Sequence, residues 1–307
     1  MNADAADAGL VVRTSEPPKL DVRRRALLIL AHREVLSNLV RKELKVKYTA
    51  SVLGAVWSLL NPVVFLAVFS FVVKVTRNSF PDYPVYLLSG LLAWNLFSVS
   101  LTTGARAVID NSNLVKKVAF PHEILPLAAV GVALVDFVLQ TGVLLLFIVA
   151  SGYGFHVPAL ALYPLAFAGL VVFTIATTML LAAVNVRYRD IQHLLNLGLL
   201  VWFWFTPIVY SGYLVKHELE DNVHFGVSFW DVFLLNPLSD IVFGFQRALY
   251  AVVRPIASNG RPITVLPNVS LPWVALVLAI ALGASLLFLR WTWGRFFDLS
   301  GDFAEEL

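Results

Sequence analysis

The chain has 307 residues, 59% of them hydrophobic and 14% charged. Soluble domains carry roughly 25% charged residues. A water-soluble globule is therefore excluded, because no single core hides this much apolar surface and the surplus must face lipid. The net charge is +3, and the absence of cysteine removes disulfides and thiolate metal sites.

The first residues do not resemble a cleaved signal peptide. Acidic and polar residues come first, and Arg23, Arg24 and Arg25 precede only a short apolar stretch. Met1–Leu20, with Pro17 and Pro18, reads as a disordered cytosolic tail. The stretch Ala26–Lys47 is amphipathic. Leu28, Val35, Leu36, Leu39 and Val40 recur at helical spacing, while Arg33, Arg41, Lys42, Lys45 and Lys47 take much of the remainder. That pattern predicts an in-plane helix in the inner headgroup layer. The alternative is a basic flank that only enforces topology.

A helix crossing the hydrocarbon core needs about 20 apolar residues. Six stretches qualify: Val52–Val73, Val85–Gly104, Ile124–Ala150, Leu160–Val186, Leu194–Tyr210 and Leu271–Leu289. Backbone groups in lipid must be paired internally, so helices are expected. The alternation of a membrane barrel is absent. With the N-terminus inside, 17 of the 23 Lys and Arg residues fall on the cytosolic side and 6 outside. This bias predicts six spans with both termini cytosolic. The sequence thus reads as one all-α membrane domain, residues 21–307.

The inner connection Asp110–Pro126 contains Asn113, placed to cap a short helix starting at Leu114. Lys116 and Lys117 follow, and Phe120-Pro121 ends the helix before the third span. A short basic helix at the membrane surface suits a lever against a cytosolic partner, or simply secures orientation. The second inner turn, Arg187-Tyr188-Arg189-Asp190, admits the same two readings. Asp136 lies within the third span and is costly there unless paired. Gln140, one turn away, is its candidate neighbour.

Phe229–Val253 in the outer connection (211–270) is apolar but broken by Asn236-Pro237, Asp240 and Arg247. A re-entrant or surface helical pair fits better than a span. His217, Glu218, Glu220, Asp221 and His224 cluster outside without a zinc-protease spacing and read as a solvated face. Trp202, Phe203, Trp204, Phe205 and Tyr210 crowd the outer half of the fifth span beside Pro207. They suit either an interfacial aromatic belt or a surface on which sugar rings stack. No G-x-x-x-x-G-K-[ST] run occurs, so ATP and Mg, if used, belong to another polypeptide and this chain is expected to bind no cofactor. Six spans suggest half of a pore, hence a dimer.

Four stretches, in order, carry a family likeness: R-K-E-L-K-V-K-Y-T-A-S-V-L-G-A-V-W-S-L-L-N-P (Arg41–Pro62), N-L-V-K-K-V-A-F-P-H-E-I-L-P (Asn113–Pro126), R-Y-R-D-I (Arg187–Ile191) and N-P-L-S-D-I-V-F-G-F-Q-R-A-L-Y (Asn236–Tyr250). Together they resemble the type-2 ABC exporter permeases of the O-antigen, teichoic-acid and galactan group. The resemblance implies a homodimer bound to two nucleotide-binding subunits and an export substrate that is a polyprenyl-linked glycan. It implies a coupling surface at Asn113, Lys116, Lys117, Phe120, Pro121, His122 and Glu123, with Arg187–Asp190 as a second contact. It places Asn236, Pro237, Asp240 and Arg247 at an outer gate and the span-five aromatics around a sugar channel, in the cytoplasmic membrane of a bacterium.

Two rivals remain in view. An ion-coupled secondary transporter favours inverted repeats and several intramembrane ionisable residues, but only Asp136 stands out. A membrane glycosyltransferase needs paired carboxylates or a metal cluster at a membrane face, and the sequence offers no such constellation.

Overall fold

The computed structural model describes residues 22–49, 54, 56–75, 81–118, 120–213, 216–217, 223–224, 227–228, 234–251 and 264–307. The tail Met1–Leu20 and the acidic residues Glu218, Glu220 and Asp221 lie outside this set.

Helix α1 (Val22–Ala31) and helix α2 (Arg33–Thr49) replace the single helix expected over 26–47. The break falls at His32, where both the backbone N–H (3.0 Å) and ring Nδ1 (2.8 Å) approach the Leu28 carbonyl. Helix α2 buries no residue completely and lies along α6 (Ile124–Ala150). Val40 fills the notch at Gly131, where a Cβ would come within 2.8 Å of Val40 Cγ2. A small residue there lets the two backbones approach.

Helix α3 (Val56–Val75) is apolar and leaves Val63, Val68, Phe71 and Val75 exposed. Helix α4 (Tyr83–Asp110) is the central rod of the molecule, buried along most of its length, and packs on α6 and on α8 (Tyr163–Arg187). Gly104 makes the α4–α8 approach feasible, since a Cβ there would sit 2.1 Å from Thr178 Cγ2. A short turn α7 (Val157–Leu160) precedes α8, and α9 (Ile191–Trp204) follows it. Helix α10 (Pro237–Leu249) and helix α11 (Leu271–Ser300) complete the bundle, with a last turn α12 (Phe303–Glu306). Proline in the first turn opens α4, α7, α8, α10 and α11, where its missing N–H has no helical partner to lose. Between α9 and α10, Val223–His224 and Val227–Ser228 form a two-stranded antiparallel pair, β1 and β2.

Among the described residues, four helical segments are long and apolar enough to cross a membrane: Tyr83–Asp110, Ile124–Ala150, Val157–Arg187 and Leu271–Ser300. At 1.5 Å per residue each extends about 40 Å or more, beyond the roughly 30 Å of hydrocarbon. Helix α9 differs from its predicted extent, Leu194–Tyr210. It stops at Trp204 after 14 residues, about 21 Å, and Phe205–Ser211 runs irregularly. Pro207 explains the stop, because its ring clashes with the preceding turn and it lacks an N–H.

Two apolar clusters hold the bundle. The larger surrounds α4 and joins Tyr86, Phe97, Leu170, Phe245 and Leu278. The smaller lies where α4 ends, and there Val108, Val115, Leu125, Met179, Val186, Phe296 and Phe303 meet.

Candidate functional site

At one end of the bundle, helix α5 (Ser112–Lys117) crosses the foot of α4. Its cap is Asn111, not Asn113. The Asn111 amide turns back to the Ala107 carbonyl (2.9 Å) and makes no cap bond. Asn113 instead sits exposed in the first turn. Val115 anchors α5 in the smaller cluster, which leaves Lys116 and Lys117 exposed at its C-terminal end. Two cations suit that end of a helix, where unpaired carbonyls concentrate negative potential.

Phe120, Pro121 and His122 follow. The His122 ring meets Phe120 edge-on at 5.5 Å and Phe303 at 6.0 Å. Burial lowers its pKa from the ordinary value, with Glu123 opposing and Arg25 reinforcing the shift. Glu123 is completely buried. It accepts from Arg25 Nε (3.1 Å) and from Trp293 Nε1 (3.4 Å), while Arg25 Nη2 lies 3.0 Å away. The same guanidinium rests 4.5 Å over the Phe297 ring. Glu123 therefore differs from the sequence expectation of a contact residue. The resemblance places Glu123 on a coupling surface, yet Arg25, 98 positions earlier, holds it inward. It joins α1, the start of α6 and the end of α11.

Arg187, Tyr188, Arg189 and Asp190 are all exposed at this same end, in a tight turn closed by the Ile191 N–H to the Tyr188 carbonyl (3.1 Å). The C-terminal turn α12 docks between this turn and α5. Phe303 is fully buried against Phe296, and Glu306 lies 3.6 Å from Arg187. In α2, Arg41, Lys42 and Lys45 are exposed, and Lys42 pairs with Glu43 at 3.4 Å. Lys47, also exposed, reaches Asp136 at 2.5 Å, and the Tyr48 hydroxyl donates to the same carboxylate. Gln140 is not the partner of Asp136. It accepts from Asn95 on α4 at 3.3 Å. A helix places residues four apart on one face, but here Asp136 and Gln140 serve different neighbours.

The opposite end answers how an irregular strand of backbone survives inside an apolar bundle. Each exposed carbonyl there needs a donor. Tyr83 donates to the Val209 carbonyl (3.0 Å) and Tyr86 to the Tyr210 carbonyl (2.7 Å). Gln246 donates to the Pro207 carbonyl (2.7 Å), Ser239 to that of Phe205 (3.3 Å), and the Tyr210 hydroxyl to that of Trp204 (2.6 Å). Asn236 caps α10 by accepting from the Leu238 N–H (3.2 Å), and the same oxygen accepts from Trp202 Nε1 (3.0 Å). Pro237 starts the helix. Asp240 is buried and Arg247 donates to the Ala251 carbonyl. Asp240 and Arg247 form no ion pair with each other. Gly244 lets α10 sit tightly on α11 and α8, since a Cβ would meet Leu278 at 2.8 Å and Ala166 at 3.1 Å.

The five aromatics do not share a face. Trp202 packs edge-on against Phe97 at 5.1 Å, and Phe203 is buried against Trp94 at 5.3 Å and Phe65 at 5.8 Å. Trp204 and Phe205 are exposed at 54% and 64%, and Tyr210 is half-buried in the irregular segment. Consecutive helical positions point about 100° apart, so a run of aromatics must divide between inside and outside. Sequence reasoning missed Arg25, Trp293 and Phe303 at one end and Tyr83, Tyr86 and Gln246 at the other. The signal for the last three was present: polar tips in apolar helices need partners.

A family model for ABC-2 type transporters matches residues 34–212. An O-antigen export system permease protein, RfbA of Myxococcus xanthus, is 34% identical over 249 residues, covering 80% of this chain and 90% of that protein. Two RfbA permeases of Klebsiella pneumoniae are each 28% identical over 214 and 215 residues, covering 69% and 70% of this chain and 79% of each relative. The match spans α2 to the irregular segment after α9, which includes α5 and the Arg187–Asp190 turn. The chain belongs to the ABC-2 type transporter family.

Proposed function

We propose that this chain is the membrane-spanning half of an ATP-driven exporter that moves a polyprenyl-linked polysaccharide across the cytoplasmic membrane. Two copies form the conduit and two nucleotide-binding subunits drive it. The relatives named for O-antigen export support the polysaccharide. In this reading α3 and α9 join the four long helices as six spans. Both termini face the cytosol, α1 and α2 lie in the inner headgroup layer, and α10 with Phe205–Ser211 forms an outer gate. Trp204 and Phe205 face the conduit, whereas Trp202 and Phe203 hold them from behind.

The observation that carries the reading is the convergence of Lys116, Lys117 and Arg187–Asp190 as exposed side chains on one end of the bundle. Both contacts are tied to long helices: α5 to α4, and the second turn to α8 and α9. Movement of a partner against them is transmitted along rods rather than through soft loops. The test is co-purification with the nucleotide-binding subunit and measurement of ATP hydrolysis. K116E/K117E should reduce assembly or hydrolysis and cause lipid-linked glycan to accumulate inside. ATP hydrolysis by the isolated chain, or unchanged assembly, hydrolysis and export in that variant, would overturn the reading.

A further inference from the structure

Between α4 and α9 lies a cavity of about 200 Å³ lined by Thr102, Thr103, Arg106, Gln192, Leu195 and Asn196. Five of these six side chains are polar, in helices otherwise rich in Leu, Val and Ala. Thr102 and Arg106 are four residues apart, as are Gln192 and Asn196, so each pair stands on one helix face. Both threonine hydroxyls donate to their own helix, Thr102 to Ser98 (2.9 Å) and Thr103 to Val99 (2.7 Å), which leaves their oxygens able to accept. The side chains of Arg106, Gln192 and Asn196 make no hydrogen bond or ion pair with any described residue, and Asp110, one turn from Arg106, forms no ion pair with it. Arg106, Thr103 and Asn196 are exposed and Gln192 is half-buried, so a guanidinium and two amides without described protein partners line a groove open to a polar ligand or water.

A second cavity of about 250 Å³ adjoins the first and shares Thr103 and Arg106 with it. It lies among α2, α4 and α6 and is mainly apolar, with Leu39, Val99, Leu125 and Val132 in its walls. Asp110 stands on this side without an ion pair among the described residues, whereas Glu43 is paired with Lys42 and Lys47 with Asp136. An anion is therefore repelled from the wider hollow and attracted to the groove side of Arg106. The guanidinium thus stands where an apolar hollow meets a polar groove, at the end of the bundle that carries α5 and Arg187–Asp190.

We infer that this junction binds the head of an amphiphilic sugar phosphate: Arg106 takes the phosphate, Gln192 and Asn196 take hydroxyls of the first sugar, and the apolar hollow takes the adjoining lipid. Arginine suits the first task because its planar fork matches phosphate oxygens. Amides suit the second because each offers both donor and acceptor. The assignment rests on the export reading above and adds to it the place where the substrate is first held.

The test uses the full chain co-purified with its nucleotide-binding subunit in detergent, with undecaprenyl diphosphate–N-acetylglucosamine as the probe and undecaprenyl phosphate for comparison. R106Q should weaken binding of both by about tenfold, and R106K by less, because a lysine keeps the charge but loses the fork. Q192A/N196A should remove the preference for the glycosylated probe while still binding undecaprenyl phosphate. Wild-type affinity in an R106Q complex that elutes intact would overturn the groove and leave the export reading standing. No binding of either probe by an intact wild-type complex would overturn both. Competition by phosphatidylglycerol as strong as by the glycosylated probe would make this a bilayer-lipid site and overturn the sugar assignment.

Discussion

Lys47 Nζ lies 2.5 Å from Asp136 Oδ2, joining the end of α2 to the middle of α6. The pair is asymmetric. The Asp136 side chain is 9% exposed and that of Lys47 is 37%, so each loses a different amount when its partner is removed. Lys47 can swing its flexible stem toward water or headgroups. Asp136 cannot, and among the described residues keeps only the Tyr48 hydroxyl.

K47A should therefore destabilise the protein more than D136A, by about 2 kcal/mol or more against about 1 kcal/mol, because the stranded carboxylate is the costlier remnant. Replacing both by apolar residues, K47L/D136L, should recover most of the loss. Thermal unfolding of the detergent-solubilised protein decides the order. Equal losses in the two single variants would show that burial does not set the balance.

Asn236 holds two donors on one oxygen, the Leu238 N–H and Trp202 Nε1. N236D keeps that acceptor but loses the amide donated to Ser239 Oγ (2.8 Å), so it should retain the cap and the Trp202 bond, whereas N236A should cost about 1 kcal/mol of cap stabilisation and free the Trp202 ring. A change in tryptophan fluorescence with N236A but not with N236D, together with impaired export, is the expected result.

Phe303 fills a pocket formed by Phe296 and the α5 end, and Glu306 only grazes Arg187 at 3.6 Å on a partly exposed surface. F303A should cost about 3 kcal/mol locally, as deletion of a buried ring does. It should reduce partner-stimulated ATP hydrolysis, because α5 loses its support. E306A should change either quantity little, as exposed pairs contribute at most about 1 kcal/mol. Protease sensitivity of the C-terminus, followed by mass spectrometry, reports the undocking directly.

His122 is neutralised by burial, its pKa lying below the ordinary 6.5. A lowered folded pKa means that the unfolded form binds the proton more readily. The contribution to stability is complete above about pH 6.5 and is lost as pH falls toward and through the folded value. H122N should flatten this part of the pH profile. Assembly with the nucleotide-binding subunit, measured from pH 7.5 down to about 5.5, is expected to weaken in wild type and to stay level in H122N.

E123Q separates structure from contact. A neutral amide leaves Arg25 partly buried without its counter-charge, so the unfolding temperature should fall and assembly should fail with it. K116E/K117E should leave the unfolding temperature within a degree or two, since both side chains are exposed. If E123Q lowers assembly without touching stability, Glu123 acts at the contact surface rather than beneath it.

The membrane class and the place of most helices were legible in the sequence because they depend on a local quantity, the length and position of apolar runs, whereas the family was legible through the likeness of four motif stretches. The α5 cap failed by two residues, since Asn111 and Asn113 offer the same local chemistry and only the path of α4 selects between them. The fifth span was read too long, because hydropathy continues through Phe205–Tyr210 although the helix stops before Pro207. Tertiary structure alone decided that Glu123 faces inward, that Asp136 answers to Lys47, that the aromatics divide between core and surface, and that α12 braces α5. Each of these joins residues far apart in the chain or chooses one helix face over another. Composition and periodicity do not encode such choices in helices that are apolar nearly all round.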